Sequence, residues 1–374
     1  MTLPDLKAPA LKKPQLIVDL EKATRNVSRI FDKFQRHGVA FRPHFKTHQC
    51  AAIGELFREM GVRSITVSSL DMATYFAGHG WDDITLAVPV NLGQVEEIDQ
   101  LAQRIRLNVL VDSLETASAL NDGLTVACPV WIKVDVGYGR VGIKWNDEAR
   151  LLELAKLIES SALLEFCGLL THSGHTYECR GREEVQVLFE EGRTRMLHLE
   201  ETLQAHGTSA RISMGDTPSA SLAEAFDGVD EMRPGNFVFY DVVQSQIGSC
   251  SAEDIAVAIA CPVIGKYEAD LKVVVYGGSV HFSKDSVIID GERVFGQLAL
   301  PASDGWKPVP LTDARIVSCC QEVSKIHVSR EVFDQIGLGQ TVYILPAHSC
   351  LAAEIYPRYR TTDGQVLERF RLFT

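Results

Sequence analysis

Residues 40–60, AFRPHFKTHQCAAIGELFREM, contain an extended run at 40–45 that leads through a short polar stretch into a segment with helical periodicity at 49–60. This order of strand and helix recurs through the first two-thirds of the chain. The predicted strands are 40–45, 64–68, 83–88, 106–111, 130–135, 164–171, 211–214 and 232–237, and the helices predicted between them include 49–60, 70–77, 94–103, 148–160 and 183–205. Eight strand–helix units over roughly 230 residues predict an α/β fold, a (β/α)8 TIM-type barrel.

The pattern changes after about residue 246, where strands follow one another with little helix between them. The strands predicted in this part are 255–264, 271–276, 286–289, 314–318 and 342–345. Asp-Gly pairs at 290–291 and 363–364 stand between extended runs, which is a strong short signal for a hairpin. We therefore predict a barrel domain over 1–245 and a smaller all-β domain over 246–374, with residues 1–15 assignable to either.

The composition excludes several classes of protein. The 374 residues include 49 acidic and 37 basic side chains, and the formal charge of −12 disfavours nucleic acid and anionic lipid as partners. No run approaches the ~18 to 20 apolar residues that cross a bilayer, and residues 1–13 lack the apolar core of a signal peptide. Nine scattered cysteines do not resemble a secreted disulfide framework. We expect a globular protein of the cytoplasm that binds neither membranes nor nucleic acid.

Polar residues cluster where the predicted barrel strands end, which is where barrels of this type place their reacting groups. The clusters are RPHFKTH at 42–48, SS at 68–69, DVGYGRVG at 135–142, THSGHTY at 171–177, GDTPS at 215–219 and RPGN at 233–236. Because parallel strands share one carboxyl end, these segments should meet at one face of the barrel.

Lys46 is the strongest candidate for a catalytic residue in these clusters. It stands between His44 and His48, whose partial positive charge would favour a neutral, nucleophilic amine able to form a Schiff base with a carbonyl group. An ordinary solvated lysine in a loop explains the same residue. His44 and His48 could each contact a ligand or serve only as structural hydrogen-bonding residues.

Two further clusters suggest an anion site and a loop. Gly215–Ser219 and Gly235-Asn236 follow the seventh and eighth strands, where barrels commonly bind a phosphate, and Thr217 would supply a hydroxyl. A plain turn with a helix cap is the alternative. The spacing Gly137-x-Gly139-x-x-Gly142 matches the dinucleotide-binding fingerprint. The motif follows the fifth strand, however, and no predicted helix begins directly after it. We interpret it as a tight loop that carries Arg140 inward.

His348 and Cys350 form a candidate metal pair beyond the predicted strand 342–345. Residues two apart in an extended segment project to the same side, so an imidazole and a thiolate could bind one ion, with zinc preferred. A buried cysteine packed beside a histidine is the alternative. Two protein ligands would leave open coordination positions, as in catalytic rather than structural sites.

Taken together, the motifs around Lys46, Asp135–Gly142, Gly215–Ser219 and Arg233–Asn236 resemble the fold-type III pyridoxal 5′-phosphate (PLP) enzymes. Within these they resemble the D-serine dehydratase and D-threonine aldolase group, which is related to alanine racemases, over nearly the whole chain. Only the segment Pro14-Gln15-Leu16 departs from the family, which usually has Thr-Pro-Ala there.

The resemblance implies specific roles. Lys46 would bind PLP covalently and act in catalysis, and a metal, zinc or another divalent ion, would lie at His348 and Cys350. Cofactor contacts would come from Lys46, Arg140, His172, Tyr177 near the pyridine ring, and Thr217, Gly235 and Asn236 at the phosphate. Cysteine at position 350 is typical of zinc-dependent D-serine dehydratases, whereas the aldolases usually have aspartate there. A homodimer acting on a small D-amino acid is expected.

The predicted activity is therefore metal-assisted dehydration of a D-β-hydroxy amino acid, such as D-serine or D-threo-3-hydroxyaspartate, to a keto acid and ammonia. Three alternatives stay open: retro-aldol cleavage, racemisation with a second base such as Tyr177, Tyr240 or Tyr276, and non-catalytic PLP binding. The sequence does not specify which substrate is used. It also assigns no role to Ser279, His281, Glu322 and His327.

Overall fold

The computed structural model of the protein describes residues 11–371, which fold as two compact units. The barrel unit comprises residues 27–237, 247–249 and 370–371. The strand-rich unit comprises residues 11–26, 238–246 and 250–369. The first division falls inside a helix, and the predicted boundary near residue 245 stays a prediction.

The strands, in chain order, are β1 (Gln15–Val18), β2 (Ala40–Phe41), β3 (Ser64–Val67), β4 (Asp83–Pro89), β5 (Arg106–Val111), β6 (Cys128–Asp135), β7 (Ile143–Lys144), β8 (Leu164–Leu170), β9 (Arg211–Met214), β10 (Glu231–Met232), β11 (Val257–Tyr267), β12 (Lys272–Tyr276), β13 (Val287–Ile289), β14 (Glu292–Val294), β15 (Gly296–Ala302), β16 (Gly305–Pro308), β17 (Ala314–Cys319), β18 (Val323–Val328), β19 (Thr341–Pro346), β20 (Arg358–Thr361) and β21 (Val366–Glu368). The α-helices are α1 (Leu20–His37), α2 (Ala51–Glu59), α3 (Leu70–Gly78), α4 (Val95–Ala102), α5 (Leu114–Gly123), α6 (Glu148–Ser160), α7 (Arg182–Ala205), α8 (Thr217–Leu222), α9 (Val242–Ile247), α10 (Ser279–Phe282), α11 (Arg330–Gln335) and α12 (Ser349–Glu354).

Eight parallel strands form the barrel unit, in the order β2, β3, β4, β5, β6, β8, β9 and β10. β10 pairs with both β9 and β2, and a parallel bridge from His44 to Thr66 links the segment after β2 to β3. β5 and β6 are buried along nearly their whole length, as expected of strands covered on both faces. The barrel is nearly closed, and the fold prediction is confirmed.

Two predicted barrel strands are shorter than the sequence indicates. The run 40–45 has regular ladder only at Ala40–Phe41, and the run 232–237 is replaced by Glu231–Met232 followed by a 3₁₀ turn at Asn236–Val238. A proline lies soon after each ladder, Pro43 and Pro234, and proline has no N–H to donate to a neighbouring strand. Both chain segments therefore leave the sheet early and become loops at the barrel's carboxyl end.

The strand-rich unit is built on a ten-stranded, mostly antiparallel sheet. Its main path is β16-β15-β19-β11-β1-β20-β21, with β12, β18 and β17 attached through β11. Ile289 pairs with Glu292, and the intervening Asp290 and Gly291 both have positive φ, so the predicted two-residue hairpin is confirmed. β1 lies in this unit, between β11 and β20, although its residues come near the start of the sequence.

All nine cysteines are free thiols. Among residues 11–371, no helix combines the length and the apolar character needed to cross a membrane.

Candidate functional site

Lys46 lies at the carboxyl end of the barrel, in the turn that follows the His44 bridge. Its side chain is half-buried, and its backbone N–H lies 3.4 Å from His44 Nδ1. The charge of Lys46 acts on both His44 and His172, so the structure brings these three side chains together from the ends of β2 and β8. The candidate amine thus belongs to one cluster with two imidazoles.

Both imidazoles of this cluster are neutral. Burial, and then the nearby charge of Lys46, hold the pKa values of His44 and His172 well below the usual range. His172 Nδ1 lies 2.6 Å from the carbonyl oxygen of Gly215, so Nδ1 carries the proton and Nε2 is left as an acceptor. The tautomer and the ring orientation of His172 are fixed by one backbone contact.

His48 belongs to the barrel core. Its ring packs on Phe45, Phe57 and Phe76 with centroid distances of 4.4, 5.8 and 6.1 Å, and burial lowers its pKa to about 3. The expectation that His44 and His48 surround Lys46 with positive charge is therefore wrong, because desolvation keeps both rings uncharged. Of the two readings for His48, the structural one holds.

The predicted phosphate residues occupy the two strand ends next to the Lys46 turn. Thr217 begins α8, and its buried Oγ1 accepts a hydrogen bond of 3.2 Å from the backbone N–H of Phe237. A Cβ on Gly235 would stand 2.8 Å from the carbonyl oxygen of His44, so the loop after β10 packs directly on the loop of Lys46. Since β10 lies between β9 and β2, Thr217, Gly235-Asn236 and Lys46 follow three consecutive strands.

Asp216 links the Thr217 loop to the neighbouring turn, a role that is not predicted from the sequence. Its Oδ1 accepts from the backbone N–H of Ser219 at 2.7 Å, capping α8, and from Thr176 Oγ1 at 2.9 Å. The second contact ties the 3₁₀ turn Gly174–Glu178, which carries the half-buried Tyr177, to the Thr217 loop. Complete burial raises the pKa of Asp216 to about 6.

Arg140 does not turn inward as the sequence suggested. Its side chain is exposed and lies over the ring of Tyr138, 5.2 Å from the centroid, although its charge still reaches His172 and Lys133. No helix follows the glycines at 137–142; the short strand β7 does, as expected of a loop rather than a dinucleotide site. A role for Arg140 in cofactor binding stays a prediction.

Lys133 is a second lysine of this region that the sequence analysis did not single out. It lies in β6 and is 4% exposed, and its Nζ donates to the carbonyl oxygen of Val134 at 2.8 Å. Burial, with the charges of Arg233 and Arg140, lowers its pKa to about 7. A lysine inside the apolar run VWIKVDV was the available signal, because such a residue must be desolvated when the strand is buried.

His348 and Cys350 lie together in the strand-rich unit, but not on an extended segment. His348 is the N-cap residue of α12 and Cys350 is in the first turn of that helix, so the assumption of strand geometry is wrong. The two side chains are nevertheless hydrogen-bonded to each other. Burial lowers the pKa of His348, but the charge of Cys350 and the hydrogen bonds to Asp241 and Cys350 outweigh it and raise that pKa well above its usual value.

Asp241 orients this pair. Its fully buried carboxylate places Oδ2 3.0 Å from His348 Nδ1 and 2.9 Å from the backbone N–H of Ser349. A carboxylate on one nitrogen fixes a histidine so that the other nitrogen faces a metal, which is the usual outer-sphere arrangement. No group of three or more His, Cys, Asp or Glu side chains suited to a metal occurs between residues 11 and 371. His348 and Cys350 therefore stay a predicted pair of metal ligands.

The residues that the sequence could not assign divide into two groups. Helix α10, with Ser279 and His281, packs against α12, the helix of Cys350. His281 Nδ1 accepts from the backbone N–H of Gly278 at 3.2 Å, and its Nε2 lies 3.7 Å from Glu322. His327 is an exposed residue of β18. The first three thus lie near the candidate metal pair, and His327 belongs to the sheet surface.

Two family models match the chain. The alanine racemase N-terminal domain covers residues 18–242, and a serine dehydratase domain covers residues 256–362.

Individual relatives extend over the same range. The chain is 31% identical to D-threo-3-hydroxyaspartate dehydratase of Delftia sp. strain HT23, over 95% of this chain and 96% of that enzyme. It is 29% identical to D-serine dehydratase of Dictyostelium discoideum over 96% of both chains, and 28% identical to D-threonine aldolase of Arthrobacter sp. over 61% of both.

The structure of the Delftia enzyme is similar to this one with a TM-score of 0.88 and 30% identity, over 96% of this chain and 98% of that one. A cysteine-to-alanine variant of a D-threo-3-hydroxyaspartate dehydratase is known in a metal-free form, and its structure is similar to this one with a TM-score of 0.88.

Proposed function

Because this chain belongs to the alanine racemase N-terminal-domain family of fold-type III enzymes, we propose that it is a PLP- and metal-dependent dehydratase of D-3-hydroxy amino acids. The substrates would be D-threo-3-hydroxyaspartate or D-serine, and the products a keto acid and ammonia. The observation that carries this proposal is the cluster of Lys46 with neutral His44 and His172 beside the Thr217 and Gly235 loops. The Delftia and Dictyostelium enzymes support the choice of reaction.

The side chains at the barrel mouth fit PLP. Lys46 offers a primary amine to the aldehyde, and Thr217 with the backbone of Gly235 and Asn236 offers donors to the phosphate at the neighbouring strand ends. Arg140, His172 and Tyr177 are the remaining proposed contacts. When bound, PLP supplies the electron sink that makes the Cα–H of an amino acid acidic.

The chain's own residues handle the proton. Lys46 Nζ, when it is not bonded to the cofactor, is the base that accepts the Cα proton. His172 holds its lone pair at Nε2 because Gly215 fixes the proton on Nδ1, so this side of the cluster accepts hydrogen bonds and adds no positive charge.

The His348–Cys350 pair fits a soft or borderline divalent ion, and we propose zinc. Thiolate and imidazole are the ligands zinc prefers, and Asp241 gives the imidazole its usual outer-sphere partner. The metal-free form of a cysteine-to-alanine D-threo-3-hydroxyaspartate dehydratase supports a metal in this family. Such an ion supplies Lewis acidity for a poor leaving group such as hydroxide. We include in the proposal a homodimeric, cytoplasmic enzyme, which light scattering and cell fractionation can test.

Retro-aldol cleavage is the second candidate, since the Arthrobacter aldolase aligns with part of the chain. Cysteine rather than aspartate at position 350 supports dehydration. The two reactions differ in products, which makes a direct test simple.

We expect the purified enzyme, incubated with D-serine, D-threonine and D-threo-3-hydroxyaspartate, to release ammonia and the corresponding keto acids. The reason is that the β-hydroxyl leaves while the Cα–Cβ bond stays intact. Ammonia and keto acid are measured by coupled assays, and L-serine serves as the control substrate. Release of glycine with an aldehyde would instead establish the aldolase reaction.

We expect Cys350→Ala to lose bound metal and turnover while it keeps the visible absorbance of PLP, because the proposed covalent link to the cofactor is Lys46. Loss of one of two ligands should weaken metal binding by at least 10- to 100-fold, about the effect of an outer-sphere change. Metal content and absorbance are measured on the same sample, with Cys320→Ala, an exposed cysteine, as the matched control. Loss of metal from the control, or none from Cys350→Ala, would place the metal elsewhere.

A further inference from the structure

Gln244 of the strand-rich unit has a buried, polar side chain without a hydrogen-bond partner among the described residues. Its side chain is fully buried, and neither its Oε1 nor its Nε2 has a hydrogen-bond partner among the residues that the structure describes. Nearly all buried polar atoms in proteins are hydrogen-bonded, because an unsatisfied one destabilises the folded state. The partner of this carboxamide should therefore come from outside residues 11–371, and water or a bound ligand would supply it.

The position of Gln244 relates it to the candidate metal pair. It lies in α9, and its backbone N–H donates to Asp241 Oδ1 at 2.9 Å, while the other oxygen of that carboxylate accepts from His348. The neighbouring Val243 donates its N–H to the carbonyl oxygen of Ala347 at 3.1 Å, one residue before His348. The turn that contains Gln244 is thus bound at two points to the segment that holds the metal ligands.

If Gln244 served only to cap helix α9, its side chain would make the hydrogen bond of a capping box. Asp241 and Gln244 stand in the N-cap and N3 positions of α9, the spacing of a capping box, in which the N3 amide oxygen accepts from the N-cap backbone N–H. Gln244 Oε1 makes no such contact. The side chain is therefore not occupied with the helix end.

We infer that Gln244 is an outer-sphere positioning residue of the metal centre, which holds a water or substrate oxygen in an open coordination position of the ion bound by His348 and Cys350. This rests on the metal part of the proposed function. Two protein ligands leave positions that water fills, and a buried water makes about three hydrogen bonds. A carboxamide, which both donates and accepts, suits such a water.

The test is the affinity for Zn²⁺ of metal-stripped holoenzyme, measured by competition with a chelating dye. We expect Gln244→Leu to raise the Kd for zinc about 10- to 100-fold, the usual effect of losing an outer-sphere partner. The metal-free variant should unfold at the same temperature as the parent or higher, because an unsatisfied buried amide has been removed. Gln244→Met, which keeps the length of the side chain, should behave alike if the leucine variant folds poorly.

Gln297→Leu is the matched control. Gln297 is also buried in this unit, but its Nε2 donates to the carbonyl oxygen of Val309 at 2.8 Å. We expect this variant to lose thermal stability and to bind zinc like the parent. Equal zinc affinities of parent, Gln244→Leu and Gln244→Met would overturn the inference alone, whereas absence of zinc binding by the parent would overturn the proposed metal centre as well.

Discussion

Lys46→Ala should lower kcat/KM for the D-hydroxy amino acid by about 10³-fold or more, because one amine serves both as the covalent anchor of PLP and as the base that takes the Cα proton. A base alone contributes about 10²- to 10⁴-fold. Steady-state kinetics measures the loss. Borohydride reduction of the parent, followed by peptide mass spectrometry, should identify the cofactor on the peptide that contains Lys46.

The control for this prediction is Lys144→Ala, since Lys144 is an exposed lysine of β7. It should keep full activity and remain unlabelled. Lys46→Arg retains positive charge but cannot take over either role, so it should be as inactive as the alanine variant. A label on Lys133, the buried lysine of β6, would show that our proposal names the wrong lysine.

Acidification should strongly destabilise the barrel unit, with His48 as a main contributor. Its pKa is about 3 in the folded protein and about 6.5 in an unfolded chain. The unfolded state therefore binds the proton first as the pH falls below 6.5. The stability is complete above pH 6.5, and the difference amounts to about 5 kcal/mol by pH 3.

His48→Asn tests this, because an amide oxygen can replace Nδ1 as the acceptor for the backbone N–H of Cys50. Urea unfolding at pH 4 to 8, followed by tryptophan fluorescence, should show the parent losing about 1.4 kcal/mol per pH unit more than the variant below pH 6.5. The exposed His206→Asn should run parallel to the parent. Parallel curves for His48→Asn as well would mean that its ring is accessible to protons in the folded state.

The candidate site was partly accessible to sequence reasoning. The polar motifs after the strands could be recognised because parallel strands of a barrel share one end, whatever the details of packing. Lys46, Thr217 and Gly235 are predicted in this way, and they follow strands that are neighbours in the barrel. Their roles stay predictions. His348 and Cys350 were paired on a false assumption of extended geometry; the helix start at Ser349 brings them together through a different backbone.

Asp241 and Gln244 illustrate what local reasoning misses. Asp241 contacts His348 across 107 residues of sequence, and no spacing rule reports a contact of that range. Gln244 becomes notable only because its side chain is buried and has no hydrogen-bond partner within the described range 11–371, which is a property of the packed interior. Strands β15, β16 and β18 are absent from the sequence predictions, although β15 pairs with β16 and β17 with β18 as neighbours along the chain.

The order of strands and helices, and the loops that carry polar residues, follow from the amino-acid sequence, because periodicity and turn preferences act over a few residues. The folded arrangement decides the charge states of His44, His48 and His172. It also decides the orientation of His348 and leaves the Gln244 side chain without a hydrogen-bond partner among the described residues. These properties depend on how much water each group loses and on which distant atoms replace that water. The loss of water from a group depends on the whole packed unit, so it cannot be predicted from the residues adjacent to that group in the sequence.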